Sequence, residues 1–351
     1  MVNLQAVRAH NESLKSLGPG LVAVFVGGTS GISLSTALAL ARHSVSPRIY
    51  LIGRSQSAAD AAIERIQSLN PDAQPMFLKA DISLLKGVDS VCDQIKKREK
   101  YLNLLFMTPG YLTLSGRDET SEGMDRKLVL HYYARMRFVS NLLPLLQKSE
   151  SAALEGTATV PNLSRVVSVL DPWTPAVNGG QLNYADLSLK HNFSLRNCGL
   201  HASMMGNFYL EAMARRYPGT AFIHAYPSGV DTGVLRDFPG ARILMPIARV
   251  LLKPWMVPVE ESGERHLFAS TSGRYPSQSQ NVGKGLASDK DVAVGSDGTK
   301  GSGSYWLSWD GEVFGPHKKF EKVRGENGAE RIAGHTEEVF ERVCVEGRKY
   351  P

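Results

Sequence analysis

Val24-Phe25-Val26-Gly27-Gly28-Thr29-Ser30-Gly31-Ile32-Ser33 is the stretch whose reading decides the fold. The apolar run Leu21–Val26 ends in glycines at 27, 28 and 31, and the helical pattern Leu34–Arg42 follows at once. Strand, Gly-rich turn and helix in that order make a pyrophosphate cradle. Glycine lets the backbone approach a phosphate closely, and the helix N-terminus supplies unpaired N–H groups at the positive end of its dipole. The candidate contacts are Gly27, Thr29, Ser30, Gly31 and Ile32. An ordinary strand-to-helix loop is the competing reading, and the strand before and helix after the glycines weigh against it.

Outward from the turn the same alternation repeats. Strand patterns at Arg48–Ile52, Pro75–Lys79, Leu102–Thr108, Arg165–Val169 and Ala221–Tyr226 are separated by helical patterns at Ala58–Leu69, Leu85–Lys97, Met124–Gln147 and Ala202–Arg216. This order predicts an α/β fold, a doubly wound and mostly parallel sheet of the Rossmann kind, over residues 21–235. Residues 1–20 read as an N-terminal helix or extension, and 236–351 as a C-terminal extension packed on the same domain. Within it, Ala241–Val259 is apolar, basic and broken by prolines, which suits a substrate flap, an interfacial helix or an ordinary helix on the sheet. Pro276–Ser304 is rich in Gly, Ser and Asp and reads as an exposed loop. The strand-like Gly303-Ser304-Tyr305-Trp306-Leu307-Ser308-Trp309-Asp310-Gly311-Glu312-Val313 and a charged helix near Ala329–Val343 then fold back.

Composition narrows the function classes. The 351 residues are 42% hydrophobic, enough for a real core. The net charge of +6 comes from 40 basic and 34 acidic residues that are scattered along the chain, which argues against nucleic acid while suiting a phosphorylated ligand. Cys92, Cys198 and Cys344 form no CxxC pair, so no metal site is expected and a reducing compartment fits. No N-terminal signal pattern and no membrane-length apolar run is visible, so the expected location is cytoplasmic, with no transmembrane span.

After the second strand the chain reads Ile52-Gly53-Arg54-Ser55, where NAD-selective folds place a carboxylate for the ribose 2′-hydroxyl. Arg54 can instead pair with a 2′-phosphate, and Ser55 can add a donor, so the expected cofactor is NADP(H); the alternative is a solvated surface arginine.

With these residues in place the chain resembles the short-chain dehydrogenase/reductase family over roughly Leu21–Thr232. Gly27 to Ser33 is similar to that family's TGxxxGxG motif, with Val26 in place of the Thr and Ser33 in place of the last Gly. Asp81-Ile82 resembles the segment that meets the adenine ring. Tyr226-Pro227-Ser228-Gly229-Val230-Asp231-Thr232 resembles the PGxxxT segment beside the nicotinamide. The resemblance therefore adds Asp81, Ile82, Pro227, Val230 and Thr232 to the cofactor candidates. Gly110 joins them as the one residue of Met107-Thr108-Pro109-Gly110 that matches the family's NNAG. The tail is similar to a divergent fungal branch from secondary metabolism.

The catalytic residues that the family implies are Asn, Ser, Tyr and Lys. Counting back from Pro144, the Asn position holds His131. The Ser position, at the end of Arg165–Val169, offers Ser168 or Asp171, which cannot both face the nicotinamide unless the strand ends between them. Where YxxxK belongs, the chain reads Arg196-Asn197-Cys198-Gly199-Leu200-His201. The remaining candidates are His201, on a helix's first turn, and Tyr184 with Lys190, whose spacing would separate them on a helix. Each has the bland reading of a structural or exposed residue. Two functions follow: an NADP(H)-dependent oxidoreductase acting on a hydrophobic ketone or alcohol with an unusual proton donor, or a relative that works as a cyclase, isomerase or auxiliary binding protein. The expected partner is a small hydrophobic substrate, and a homo-oligomer is open.

Overall fold

The computed structural model of the chain describes residues 1–111, 113–154, 161–178, 180–230, 232, 256–280 and 291–351. Seven strands form one parallel sheet: β1 Val22–Val26, β2 Arg48–Gly53, β3 Gln74–Lys79, β4 Leu104–Met107, β5 Arg165–Val169, β6 Ala221–Ala225 and β7 Ser304–Leu307. Their order is β3-β2-β1-β4-β5-β6-β7, so the chain reverses its direction of travel between β1 and β4. Ligands of open α/β sheets bind at that switch, beyond the carboxyl ends of the strands.

Burial explains the strand compositions. Every residue of β1, β4, β5, β6 and β7 is buried, as the mainly apolar strands of a sheet covered on both faces should be. Alternate residues of one strand serve opposite cores. Val22, Val24 and Val26 join the core that includes residues of α4 (Leu85–Arg98), α6 (Ala134–Leu154) and α8 (Leu195–Arg216). Ala23 and Phe25 join the core that includes residues of α2 (Gly31–His43) and α3 (Gln56–Leu69). The edge strand β3 carries Pro75, whose missing N–H costs nothing where no further strand follows.

The ends of the chain are built into this frame. Helix α1, Leu4–Glu12, packs on α9, Val259–Thr271, where the Asn11 amide donates to Glu264 Oε2 at 2.6 Å. Helices α10 (Lys318–Gly325) and α11 (Gly328–Phe340) return to the other face, and the Tyr350 N–H reaches the Glu122 carbonyl at 2.9 Å.

Four readings of the sequence need correction. The helix expected at Met124–Gln147 is three pieces, a short α5 (Arg126–Leu128), a π-helical turn (Val129–Tyr133) and α6. The helix expected from Ala202 begins at Leu195, capped by the Ser194 hydroxyl, which accepts from Asn197 N–H at 3.0 Å. The tail holds α10 as well as the expected terminal helix. Pro276–Ser304 is only partly an exposed loop in its described parts: Val294 and Asp297 to Lys300 are exposed, but Ala293, Ser296 and Ser302 are buried, and Ser296 Oγ donates to Glu211 Oε2 at 2.8 Å. Small residues let backbone pack on backbone there, and composition alone takes them for solvent-facing. Of the Ala241–Val259 segment, residues 241–255 lie outside the described residues; Val257 N–H donates to the Gly229 carbonyl at 2.8 Å.

Candidate active site

The carboxyl ends of β1, β4, β5 and β6 and the segments that leave them share one rim of the sheet. The N–H groups of Gly27 and Gly28 both donate to the Ile52 carbonyl, at 3.0 and 3.2 Å, and so pin the turn to β2. Ser30 stands at the N-cap of α2 without a side-chain hydrogen bond, which leaves the first N–H groups of the helix uncapped. Ser33 Oγ is buried there without a partner among the described residues. Gly31 has φ of +59°, and a β-carbon on it would lie 3.3 Å from Thr232 Cγ2. The turn after β1 and the segment after β6 therefore close on each other. Uncapped donors, an orphaned hydroxyl and a positive dipole end suit a pyrophosphate, with Thr232 beside it.

Around this turn, Thr29 rests on Gly53, where a β-carbon would stand 3.1 Å from Thr29 Oγ1. Arg54 follows and is exposed, and it forms no salt bridge with a described residue. Ser55 caps α3, its Oγ accepting from Ala58 N–H at 3.3 Å. Asp81 accepts from Ser83 N–H at 3.0 Å, and although its partial burial opposes ionisation, these bonds with Arg54 and Arg126 nearby hold its carboxyl below the usual range. Ile82 is buried beside it. Pro227 is partly exposed, Ser228 adopts φ of +63°, and Val230 pairs with Val257. Asp231 lies outside the described residues.

The six candidates for chemistry separate sharply. His131 sits in the π turn with its imidazole against Gly110, at the end of β4, and makes no hydrogen bond to a described residue. Desolvation, with Arg135 and Lys127 nearby, pushes its pKa down to about 3, so the ring is neutral. Ser168 is buried in β5 and accepts from Arg135 Nη1 at 2.8 Å. The strand ends at Val169, so Asp171 lies beyond it and instead caps α7, Thr174–Asn178, accepting from Trp173 N–H at 2.8 Å and Thr174 N–H at 2.9 Å.

The other three are engaged elsewhere. Both ring nitrogens of His201 serve the preceding loop: Nδ1–H donates to the Leu187 carbonyl at 3.1 Å and Nε2 accepts from Asn183 N–H at 3.3 Å. Tyr184 turns toward α11, with the Arg331 guanidinium 3.7 Å from its ring centroid and its hydroxyl buried without a partner among the described residues. Lys190 pairs with Glu119 Oε2 at 3.2 Å. No Tyr–Lys couple forms.

Comparison with known proteins places the chain in a family. The KR domain family matches residues 22–129. Oxidoreductase AN1596 of Emericella nidulans is 40% identical over 97% of this chain and 99% of its own length, and oxidoreductase andH of Emericella variicolor is 35% identical over 98% of each. The chain belongs to the short-chain dehydrogenase/reductase family. Among solved structures, an NADH-dependent reductase of alginate metabolism covers 74% of this chain and 91% of its own, with a TM-score of 0.53 at 17% identity. That likeness shows the fold, and this family member shares it.

Residues that the sequence reading missed sit under the rim. Arg135 is 1% exposed, yet it lies only one turn beyond His131 on the same apolar helix face. A charged residue at a core-facing position was the visible signal. His224, on β6 opposite Ser168, donates through Nδ1–H to Asn207 Oδ1 at 2.6 Å, and the Asn207 amide donates to the Pro172 carbonyl at 2.8 Å. Nothing in its spacing marks it, because the pairing is made by the sheet.

Proposed function

We propose that this protein is an NADP(H)-dependent oxidoreductase that transfers hydride between the nicotinamide and a hydrophobic ketone or alcohol, in fungal polyketide or terpenoid biosynthesis as its resemblance implies. The observation that carries the reading is the uncapped N-terminus of α2 closed by Thr232, with exposed Arg54 following β2 where a carboxylate would select NAD. Gly27, Thr29, Ser30, Gly31 and Ile32 would hold the pyrophosphate. Arg54 and Ser55 would take the 2′-phosphate, Asp81 and Ile82 the adenine, and Gly110, Pro227, Val230 and Thr232 the nicotinamide half.

The bound cofactor would supply a hydride with its electron pair to the carbonyl carbon. His131 then hydrogen-bonds the carbonyl oxygen through its neutral ring and passes it a proton drawn from solvent, which completes the alcohol. Trp173, partly exposed and stacked on Phe314 at 5.0 Å between ring centroids, stands two residues past Asp171 and offers an apolar face to the substrate. The second reading, a non-redox relative, draws on one observation: Tyr184 and Lys190 each have other partners.

Titration with NADPH and NADH, followed by fluorescence, separates the two readings. Arg54→Ala is expected to weaken NADPH by about tenfold while leaving NADH unchanged, the loss of a charge-assisted bond. Equal losses for both nucleotides would refute the 2′-phosphate assignment, and no binding of either would leave the non-redox reading.

A further inference from the structure

Among the described residues two arginines, Arg135 and Arg165, are fully buried, and they are buried in opposite places. Arg165 opens β5, and its guanidinium donates to the carbonyls of Ala269 and Ser272, each at 2.9 Å, and of Tyr275 at 2.6 Å, around the C-terminus of α9. A cation is welcome there, because a helix C-terminus is the negative end of its dipole. Arg135 lies at the other edge of the sheet, under the carboxyl ends of β4 and β5. Its Nε donates to the Leu130 carbonyl at 3.2 Å, Nη1 to Ser168 Oγ and the Val169 carbonyl, both at 2.8 Å, and Nη2 to the Pro109 carbonyl at 2.6 Å.

No carboxylate accompanies Arg135 among the described residues. Desolvation draws its pKa down to about 9, which still leaves it charged at neutral pH. An unpaired buried cation is costly, and a neutral donor could satisfy carbonyls at less cost. The charge is therefore the property that needs a reason. Its immediate surroundings do not cancel the field: His131 and His224 face it as neutral rings, each pushed down to about 3 by burial and by Arg135 itself, while Lys127, near His131, has its own counter-ion in buried Asp125 at 3.5 Å. Three of its acceptors, Pro109 just past β4 and Ser168 and Val169 at the end of β5, lie at the carboxyl ends of these strands, so the field emerges at the rim where Gly110 and His131 face the nicotinamide half of the proposed site.

We propose that Arg135 is a positioning residue whose buried charge biases this site toward the reduced nicotinamide, and hence toward carbonyl reduction. The inference rests on the cofactor reading above. The oxidised nicotinamide ring is a cation and the reduced ring is neutral, so a fixed positive charge beneath the ring disfavours only the oxidised form. The developing negative charge on a substrate oxygen gains from the same field. Arg135 need not touch either. It acts through the strand ends and through Ser168, whose hydroxyl it polarises while leaving the hydroxyl proton to donate.

The test compares the affinities of NADPH and NADP+ for the full-length protein, by calorimetry, in the wild type, Arg135→Lys, Arg135→Gln and Ser168→Asp. The wild type is expected to prefer NADPH by about tenfold or more, and Arg135→Lys, which keeps the charge but loses bonds, to keep that preference. Arg135→Gln, which keeps donors without charge, should bring the two affinities together. Ser168→Asp should do the same by placing a carboxylate beside an intact Arg135, and it decides the matter if Arg135→Gln does not fold. Equal affinities in the wild type overturn the proposal, as does a preference that survives in Ser168→Asp or falls equally in Arg135→Lys and Arg135→Gln. Failure to bind either nucleotide removes the cofactor reading itself and the proposal with it.

Discussion

The imidazole of His131 lies directly against Gly110, so that a β-carbon on Gly110 would stand 2.6 Å from Nε2. No other side chain could occupy position 110 without moving the ring. Gly110→Ala is therefore expected to displace His131 from the rim while the pyrophosphate turn, held by Ile52, stays in place. Turnover should fall by more than NADPH affinity does, because Gly110 meets only the nicotinamide end of the proposed cofactor site. Parallel measurement of both checks it, and a variant with wild-type turnover would show that His131 takes no part.

Tyr184 is expected to be dispensable. Its hydroxyl is buried without a partner among the described residues and faces α11, where a β-carbon on Gly328 would meet it at 2.6 Å. Removing an unsatisfied buried hydroxyl relieves its desolvation cost, so Tyr184→Phe should keep turnover and lose no thermal stability. A large loss of kcat with unchanged melting would restore the tyrosine as proton donor.

Local pattern proposes the nucleotide half of the candidate site, and long-range pairing builds the rest of the rim. The turn Gly27–Gly31, Arg54 after β2 and the Pro227–Thr232 segment each announce themselves within one strand-to-helix connection, where spacing and residue type are enough. His201 shows the opposite case. It stands in the second turn of α8, not the first, because the helix begins at Leu195, and a loop closing back through Asn183 and Leu187 claims both ring nitrogens, a closure no periodicity foretells. Arg135 and His224 meet at the rim only because β5 pairs with β6 and α6 crosses beneath them. The π turn at Val129–Tyr133 is likewise invisible to a 3.6-residue pattern, though such turns cluster at functional sites.

Glu119 gathers Lys190, Arg117 and Lys349 from three separate segments, so the C-terminal tail and the 183–194 loop hang on one carboxylate. Hydrogen bonds from Lys349, Arg117 and Lys190 lower its pKa from 4.5 to about 2. A depressed carboxylate stabilises the fold above its unfolded value, and that contribution is lost as pH falls from about 4.5 toward 2. Glu119→Gln should thus melt below the wild type at neutral pH, with the gap closing across that window and shrinking in high salt. Melting curves at several pH values check it; a gap independent of pH would contradict the ion cluster.

Tyr132 and Thr336 join the π turn to α11. The Thr336 hydroxyl donates to the Ile332 carbonyl at 2.7 Å, so the Tyr132 hydroxyl is the donor in their 2.6 Å bond, and both residues are fully buried. Thr336→Val keeps the shape and strands the tyrosine hydroxyl, at a cost of about 1–3 kcal/mol. Adding Tyr132→Phe removes the stranded group, so the double variant should be more stable than Thr336→Val alone. Urea unfolding of the four proteins measures the coupling, and additive losses would mean that the bond does not form. If it does form, the single variant should also loosen the turn that carries His131, and turnover should recover together with stability in the double variant.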